Sequence, residues 1–210
     1  MRNDLTDVTL VVDRSGSMEQ IRSDAQGGIN AFVADQAKLP GECRITLVQF
    51  DDKYEVVHSG ILASQWPEYH LSPRGSTALL DAVGRAIIET GNRISAMPES
   101  QRPGLVICVI STDGMENASQ EFTREKVREM ISHQQTVYNW HFTFLAANQD
   151  AFTQAGYLGL SDDEAVVIGI GKVRAAGKVL SNKVERMRGE RSAGRAVDNR
   201  WSADERKEIE

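Results

Sequence analysis

The stretch "TLVVDRSGSM" (residues 9–18) changes character in its middle. Thr9 to Val12 are apolar and largely β-branched, the composition of a strand covered on both faces. The run stops at Asp13, two hydroxyls follow at Ser15 and Ser17 around Gly16, and from Met18 onward the residues suit a helix. A carboxylate and two hydroxyls where a buried strand meets a helix start have the chemistry to hold a hard cation. The same residues also satisfy an ordinary turn, because Ser17-x-x-Gln20 has the spacing of a helix capping box.

The rest of the chain sets this turn in a repeating strand–helix pattern. Residues 44–50, 105–112, 137–146 and 165–170 read as strands. Residues 54–58 pair back on 44–50 as a hairpin across the polar turn Asp51-Asp52-Lys53. Helical periodicity marks 18–38, 77–95, 121–133, 149–156 and 173–188, while 59–75, with Trp66, Pro67 and Pro73, is irregular. Strands alternating with helices predict a three-layer α/β fold. Its sheet is mostly parallel and doubly wound, with one antiparallel edge strand from the hairpin.

In such a sheet the carboxyl ends of the parallel strands share one rim, where ligands bind. Three polar clusters fall there. Asp13, Ser15 and Ser17 follow the first strand; Gly75-Ser76-Thr77 open the helix after the irregular stretch; Asp113, in "STDGMEN" (residues 111–117), ends the central apolar strand. If the strands ending at Asp13 and Asp113 are neighbours, their carboxylates repel unless a cation lies between them. Two carboxylates and three hydroxyls form an all-oxygen set, lean in charge. It suits a hard divalent ion such as Mg²⁺, with Ca²⁺ and Mn²⁺ as alternatives, and leaves a position for an outside carboxylate. Each element also has a plainer explanation, Thr77 as a helix N-cap and Asp113-Gly114 as a simple turn.

"DRSGSM" matches a DxSxS signature, and with Thr77 and Asp113 following in order the chain resembles von Willebrand factor type A domains over residues 5–188. The resemblance implies a Rossmann-like fold in which the first strand lies beside the Asp113 strand. It also implies a metal-ion-dependent adhesion site made of Asp13, Ser15, Ser17, Thr77 and Asp113. In that site Ser15, Ser17 and Thr77 supply hydroxyl ligands, Asp13 and Asp113 act largely through bound waters, and a partner's Glu or Asp completes the shell. The function implied is a metal-dependent protein-interaction module. In adhesion-type relatives ligand binding is coupled to a shift of the C-terminal helix, here residues 173–188. Intracellular bacterial and phage members commonly work with AAA+ ATPases or stress-response proteins.

Other metal and catalytic readings fit poorly. An EF-hand loop counted from Asp13 places Met18 where Gly is needed and Asp24 where Glu is needed. A phosphatase resembling the haloacid dehalogenase family wants a second Asp where Ser15 stands. Walker A, GxGxxG and GxSxG patterns are absent. A metal-dependent hydrolase stays as an alternative, with Glu116 and Glu19 as the nearby candidate bases, but no recognised catalytic constellation is present. His58, His70, His133 and His141 lack metal-ligand spacing; Trp66 and Tyr69 either fill the irregular loop or meet a partner at the site's rim.

The chain has 210 residues with 40% hydrophobic and 26% charged, which fits one ordinary domain. The N-terminus lacks a signal-peptide pattern and no apolar run approaches the roughly 20 residues of a membrane helix, so a cytoplasmic, membrane-free protein is expected. Cys43 and Cys108 lie inside apolar runs without CxxC spacing and read as buried thiols. Charge is uneven: residues 1–171 carry a net −10 and residues 172–200 a net +6. The basic stretch, from Lys172 and Arg174 through Lys183 and Arg200, reads as a solvated helix face complementing the acidic body. It is less well explained as a nucleic-acid surface, for which an aromatic platform is missing. The type A domain is expected over 1–188, followed by a charged, mobile tail over 189–210.

Overall fold

The computed structural model describes residues 1–169 and 171–210. Its elements run β1 (Arg2–Asp13), α1 (Arg22–Gln36), β2 (Glu42–Phe50), β3 (Tyr54–Leu62), α2 (Leu79–Ser95), β4 (Pro103–Thr112), α3 (Arg124–Tyr138), β5 (His141–Ala146), α4 (Gln149–Tyr157), β6 (Ala165–Val167), α5 (Val173–Ser192) and α6 (Ala203–Ile209). One six-stranded sheet has the order β3-β2-β1-β4-β5-β6. Among the described residues only β3 is antiparallel to its neighbour, as the hairpin predicts.

Alternation along the strands divides the core. Val8, Leu10 and Val12 of β1 face one layer, with Phe32 of α1 and Leu180, Val184 and Met187 of α5. Val11 faces the other, with Leu79 and Val83 of α2, Val127 of α3 and Phe142 and Phe144 of β5. The polar residues within β1 are matched from α2: Asp7 accepts both guanidinium arms of Arg93, at 2.6 and 2.8 Å, and Thr9 shares a 2.9 Å hydroxyl contact with Thr90. That is how a strand with carboxylate and hydroxyl groups stays buried without orphaned polar atoms. Cys43 and Cys108 are buried free thiols.

On the first layer α1 and α5 touch backbone to backbone at Gly28 and Gly177. A Cβ at position 177 would lie 2.3 Å from the Gly28 carbonyl oxygen and 2.7 Å from its Cα. Backbone cannot swing aside as a side chain can. Gly177→Ala is therefore expected to destabilise by about 3 kcal/mol, seen as a lower urea midpoint at unchanged slope. An unchanged midpoint would mean that the helices separate freely.

Several elements depart from the sequence expectation. Residues 16–21 form a 3-10 turn rather than the first turns of α1. β3 extends to Leu62, inside the expected irregular stretch. Val137 and Tyr138, expected in a strand, finish α3, which stops at Asn139 in the left-handed conformation; both side chains are exposed. Their β-branched and aromatic character imitates a strand without supplying a sheet partner. The last strand pairs over Ala165–Val167, and Ile170, the final residue expected in it, lies outside the described residues.

Residues 189–210 are not a detached tail. α5 continues to Ser192, Gly194 (φ +68°) reverses the chain, and Trp201 and Ile209 bury themselves in the α1–α5 layer. Asn199 pairs with β5 by its side chain, donating to the Phe142 carbonyl at 2.6 Å and accepting from the Thr143 hydroxyl at 3.0 Å. Ser202 and Glu205 close a capping box that starts α6. The charge-rich composition conceals two apolar anchors, and the charges are largely consumed internally. Arg186 reaches the Asp198 and Arg200 carbonyls and the Glu205 carboxylate, Arg200 pairs with Asp198, and Lys183 and Arg188 are buried.

Candidate metal site

Asp13 and Asp113 meet because β1 and β4 are parallel neighbours in register, Val12 opposite Ser111. Asp13 is fully buried. Its Oδ1 accepts the Ser15 N–H at 2.6 Å and its Oδ2 accepts the Thr112 hydroxyl at 2.5 Å. Burial nevertheless pushes its carboxyl up to about 6, against those hydrogen bonds, and Asp113 contributes like-charge repulsion. Burial raises Asp113 as well, with the Ser17 hydroxyl opposing it.

The 3-10 turn leaves Ser17 exposed and brings its hydroxyl to Asp113. Ser17 Oγ donates to Asp113 Oδ1 at 2.7 Å and lies 3.1 Å from Ser15 Oγ. It makes no capping bond to the 3-10 turn or to α1. Thr77 does not cap α2 either; the N-cap is Ala78. Thr77 is buried, its N–H donates to Asn117 Oδ1, and its carbonyl accepts the Asn117 and Ala118 N–H groups. The plainer readings of both residues thus lose their hydrogen bonds.

Gly114 measures the space these side chains enclose. A Cβ there would stand 3.2 Å from Thr77 Oγ1, 3.7 Å from Asp13 Oδ2 and 3.8 Å from Ser17 Oγ. Three oxygens from two separated segments, residues 13–17 and the Thr77 loop, therefore surround one point beside Asp113. The five residues singled out in the sequence come together, with Ser15 joining through Ser17. The donor set is all oxygen, and among the described residues no group of three or more His, Cys, Asp or Glu competes with it.

Two supporting residues escaped the sequence reading. Asp51, in the β2–β3 turn, is fully buried and accepts Arg14 Nε at 3.0 Å, Arg74 Nε at 2.8 Å and the Lys53 N–H at 2.6 Å. Its carbonyl accepts the Ala78 N–H, while the Arg74 N–H donates to the Arg14 carbonyl and the Gly16 N–H to the Gly75 carbonyl. Asp51 thereby clamps the Thr77 loop against the loop after β1. Gly75 (φ +69°) is needed in that clamp, since a Cβ would fall 2.5 Å from Asp52 Oδ1. The available signal was Arg14, a cation set between Asp13 and Ser15 at the end of a buried strand, which demands a carboxylate elsewhere. Thr112, the second residue, immobilises Asp13 and receives the Gly114 N–H.

Glu116, a candidate base, accepts the Leu80, Ala118 and Ser119 N–H groups and the Ser119 hydroxyl, so it staples the loop to α2. Glu19 is exposed beside Arg22. Tyr69 is buried with its hydroxyl on Gln49, and Asn30 of α1 holds Trp66 and Tyr69, so both fill the loop.

This architecture is a von Willebrand factor type A-like fold, a six-stranded, mostly parallel sheet between helical layers with its polar cluster at the carboxyl rim. Among solved structures, the von Willebrand factor type A protein from Catenulispora acidiphila matches with 16% identity and a TM-score of 0.57, over 86% of this chain and 42% of that one. Proximal thread matrix protein 1 from the mussel byssus, in a structure with a zinc-occupied MIDAS motif, matches with 11% identity and a TM-score of 0.62, over 84% of this chain and 47% of that one. The manganese-loaded TRAP protein of Plasmodium vivax matches with 13% identity and a TM-score of 0.55, over 83% and 72%. The chain spans less than half the length of the first two. No family model and no curated protein matches the sequence.

Proposed function

We propose that this chain is a metal-dependent protein-interaction module. Asp13, Ser15, Ser17, Thr77 and Asp113 would hold a divalent cation, Mg²⁺ by the hardness and low charge of the set. When bound, that ion supplies an electrophilic anchor for a carboxylate of a partner protein. The observation that carries the reading is the convergence of Asp13, Ser17 and Thr77 oxygens on the point marked by Gly114, beside the Asp113 carboxylate. Zinc and manganese in two structures of the same fold support it.

The residues divide the work. Thr112 and the Ser15 N–H fix the Asp13 carboxylate, Ser17 orients Asp113, and the Asp51 clamp positions Thr77. Binding is favoured over hydrolysis because the Glu116 carboxylate is taken up by the Leu80, Ala118 and Ser119 N–H groups and the Ser119 hydroxyl. Protein recognition is favoured over nucleic-acid recognition because Lys178, Lys183, Arg186 and Arg188 of α5 are buried or paired. The sequence resemblance points to a cytoplasmic partner of the AAA+ ATPase or stress-response kind.

Calorimetric titration with MgCl2, and in parallel with MnCl2 and CaCl2, is expected to show one saturable site. Capture of a partner from the native cell is expected with Mg²⁺ and not with EDTA. Absence of a saturable site for every ion defeats the proposal. Gly114→Ala sharpens the test, because its methyl enters the cradle 3.2 Å from Thr77 Oγ1. A drop of about tenfold or more in ion affinity is expected, with stability in EDTA within about 1 kcal/mol of wild type. Full-strength binding by Gly114→Ala places the ion elsewhere.

A further inference from the structure

A second cavity, of about 740 Å³, opens between α2 and α3 at the amino end of β4, across the sheet from the candidate metal rim. Its size falls in the range of small-molecule pockets. Ile87, Val106, Met130 and Trp140 provide apolar lining, and the exposed Ile88, Val137 and Tyr138 stand around it.

The charged lining is mostly cationic, although the whole chain carries −6. Arg102 donates one N–H each to the Ser95 and Met97 carbonyls, which neither neutralise it nor use up its five donors. Lys126 lies 3.6 Å from Glu129, the one acid of the lining. Arg191, in the last turn of α5, has no side-chain hydrogen bond or ion pair among the described residues, yet its Nε is buried. A buried donor without an acceptor is an unmet demand.

Gly91 keeps the space open. It sits inside α2, where glycine is a poor helix former, and a Cβ there would meet nothing nearer than Trp140 Cη2 at 4.0 Å. A larger side chain at this position would project into the cavity.

We propose that this cavity binds a small amphipathic anion, its hydrocarbon portion against Ile87, Met130 and Trp140 and its carboxylate or phosphate head served by Arg191 and Arg102. The site is separate from the metal rim and does not depend on it.

The test titrates the full chain with decanoate, decyl phosphate and decanol by calorimetry. Both anions are expected to saturate one site, and the tighter of the two names the head group. Decanol is expected to bind about tenfold or more weakly. Arg191→Gln is expected to weaken the anions about tenfold and leave decanol unchanged. Gly91→Leu is expected to abolish binding without lowering the melting temperature, and Ile88→Trp, at an exposed position beside the opening, to do the same should the leucine variant misfold. Asp13→Ala is expected to bind decanoate as wild type does, which separates this site from the metal site. No saturation by either anion, decanol as tight as decanoate, or undiminished binding by a folded Gly91→Leu overturns the proposal.

Discussion

Asp13→Ala is expected to erase the stabilisation that Mg²⁺ gives the wild-type chain. An ion that binds only the folded state at a free concentration of 100 Kd adds about 2.7 kcal/mol, which for a chain of this length raises the melting temperature by roughly 5–10 °C. Asp13 is the most deeply placed carboxylate of the cradle, held from both sides by Thr112 and the Ser15 N–H. Without it the set retains one carboxylate against a doubly charged ion. In EDTA the same substitution relieves a buried charge and the repulsion from Asp113, while leaving the Thr112 hydroxyl and Ser15 N–H without an acceptor. These effects oppose each other, so the ion-free variant is expected within about 1–2 kcal/mol of wild type. Melting curves with MgCl2 and with EDTA read both numbers. If the variant still gains stability from Mg²⁺ as wild type does, Asp13 does not hold the ion and the proposed function fails.

Trp201→Ala is expected to cost about 3–5 kcal/mol, the largest stability loss anticipated for a single side chain here. Trp201 is 4% exposed, its indole N–H donates to the Glu164 carbonyl, and its ring lies 4.1 Å from Lys183 Nζ. It is the anchor by which residues 195–202 close the edge of the sheet. A second signature follows from Lys183, which burial pushes down to about 7 even with an aromatic face beside it. The unfolded chain keeps that proton to about 10.4. Unfolding therefore takes up a proton between those values, and wild-type stability rises with pH from about 7 toward 10. In Trp201→Ala water reaches Lys183, its ordinary basicity returns, and the rise flattens. Urea unfolding at two alkaline pH values measures the slope. A loss under about 1 kcal/mol would show that the C-terminal segment is only loosely seated.

The site was more legible than its support. DxSxS, Thr77 and Asp113 stand out because they fall where apolar periodicity breaks and because, in that order, they resemble a known signature. Asp51 was not, because a carboxylate in a polar turn looks the same in sequence whether it faces water or clamps two arginines. Thr112 was hidden at the end of a β-branched strand, where threonine suits the sheet anyway. Residues 137–138 misled for the opposite reason: their local preference favours a strand, but the chain reaches the sheet only at His141.

By itself the sequence determined the alternation of strands and helices and the edge hairpin, which follow from local periodicity and spacing; the five oxygen-bearing residues were singled out by their positions together with a family resemblance. Only the tertiary structure decided the register in which β1 and β4 align, that Ser17 and Thr77 leave the helices uncapped, and that Trp201 and Ile209 dock the charged C-terminal stretch. Those outcomes depend on contacts between residues scores of positions apart, and periodicity carries no information about which distant surface will bury a given side chain.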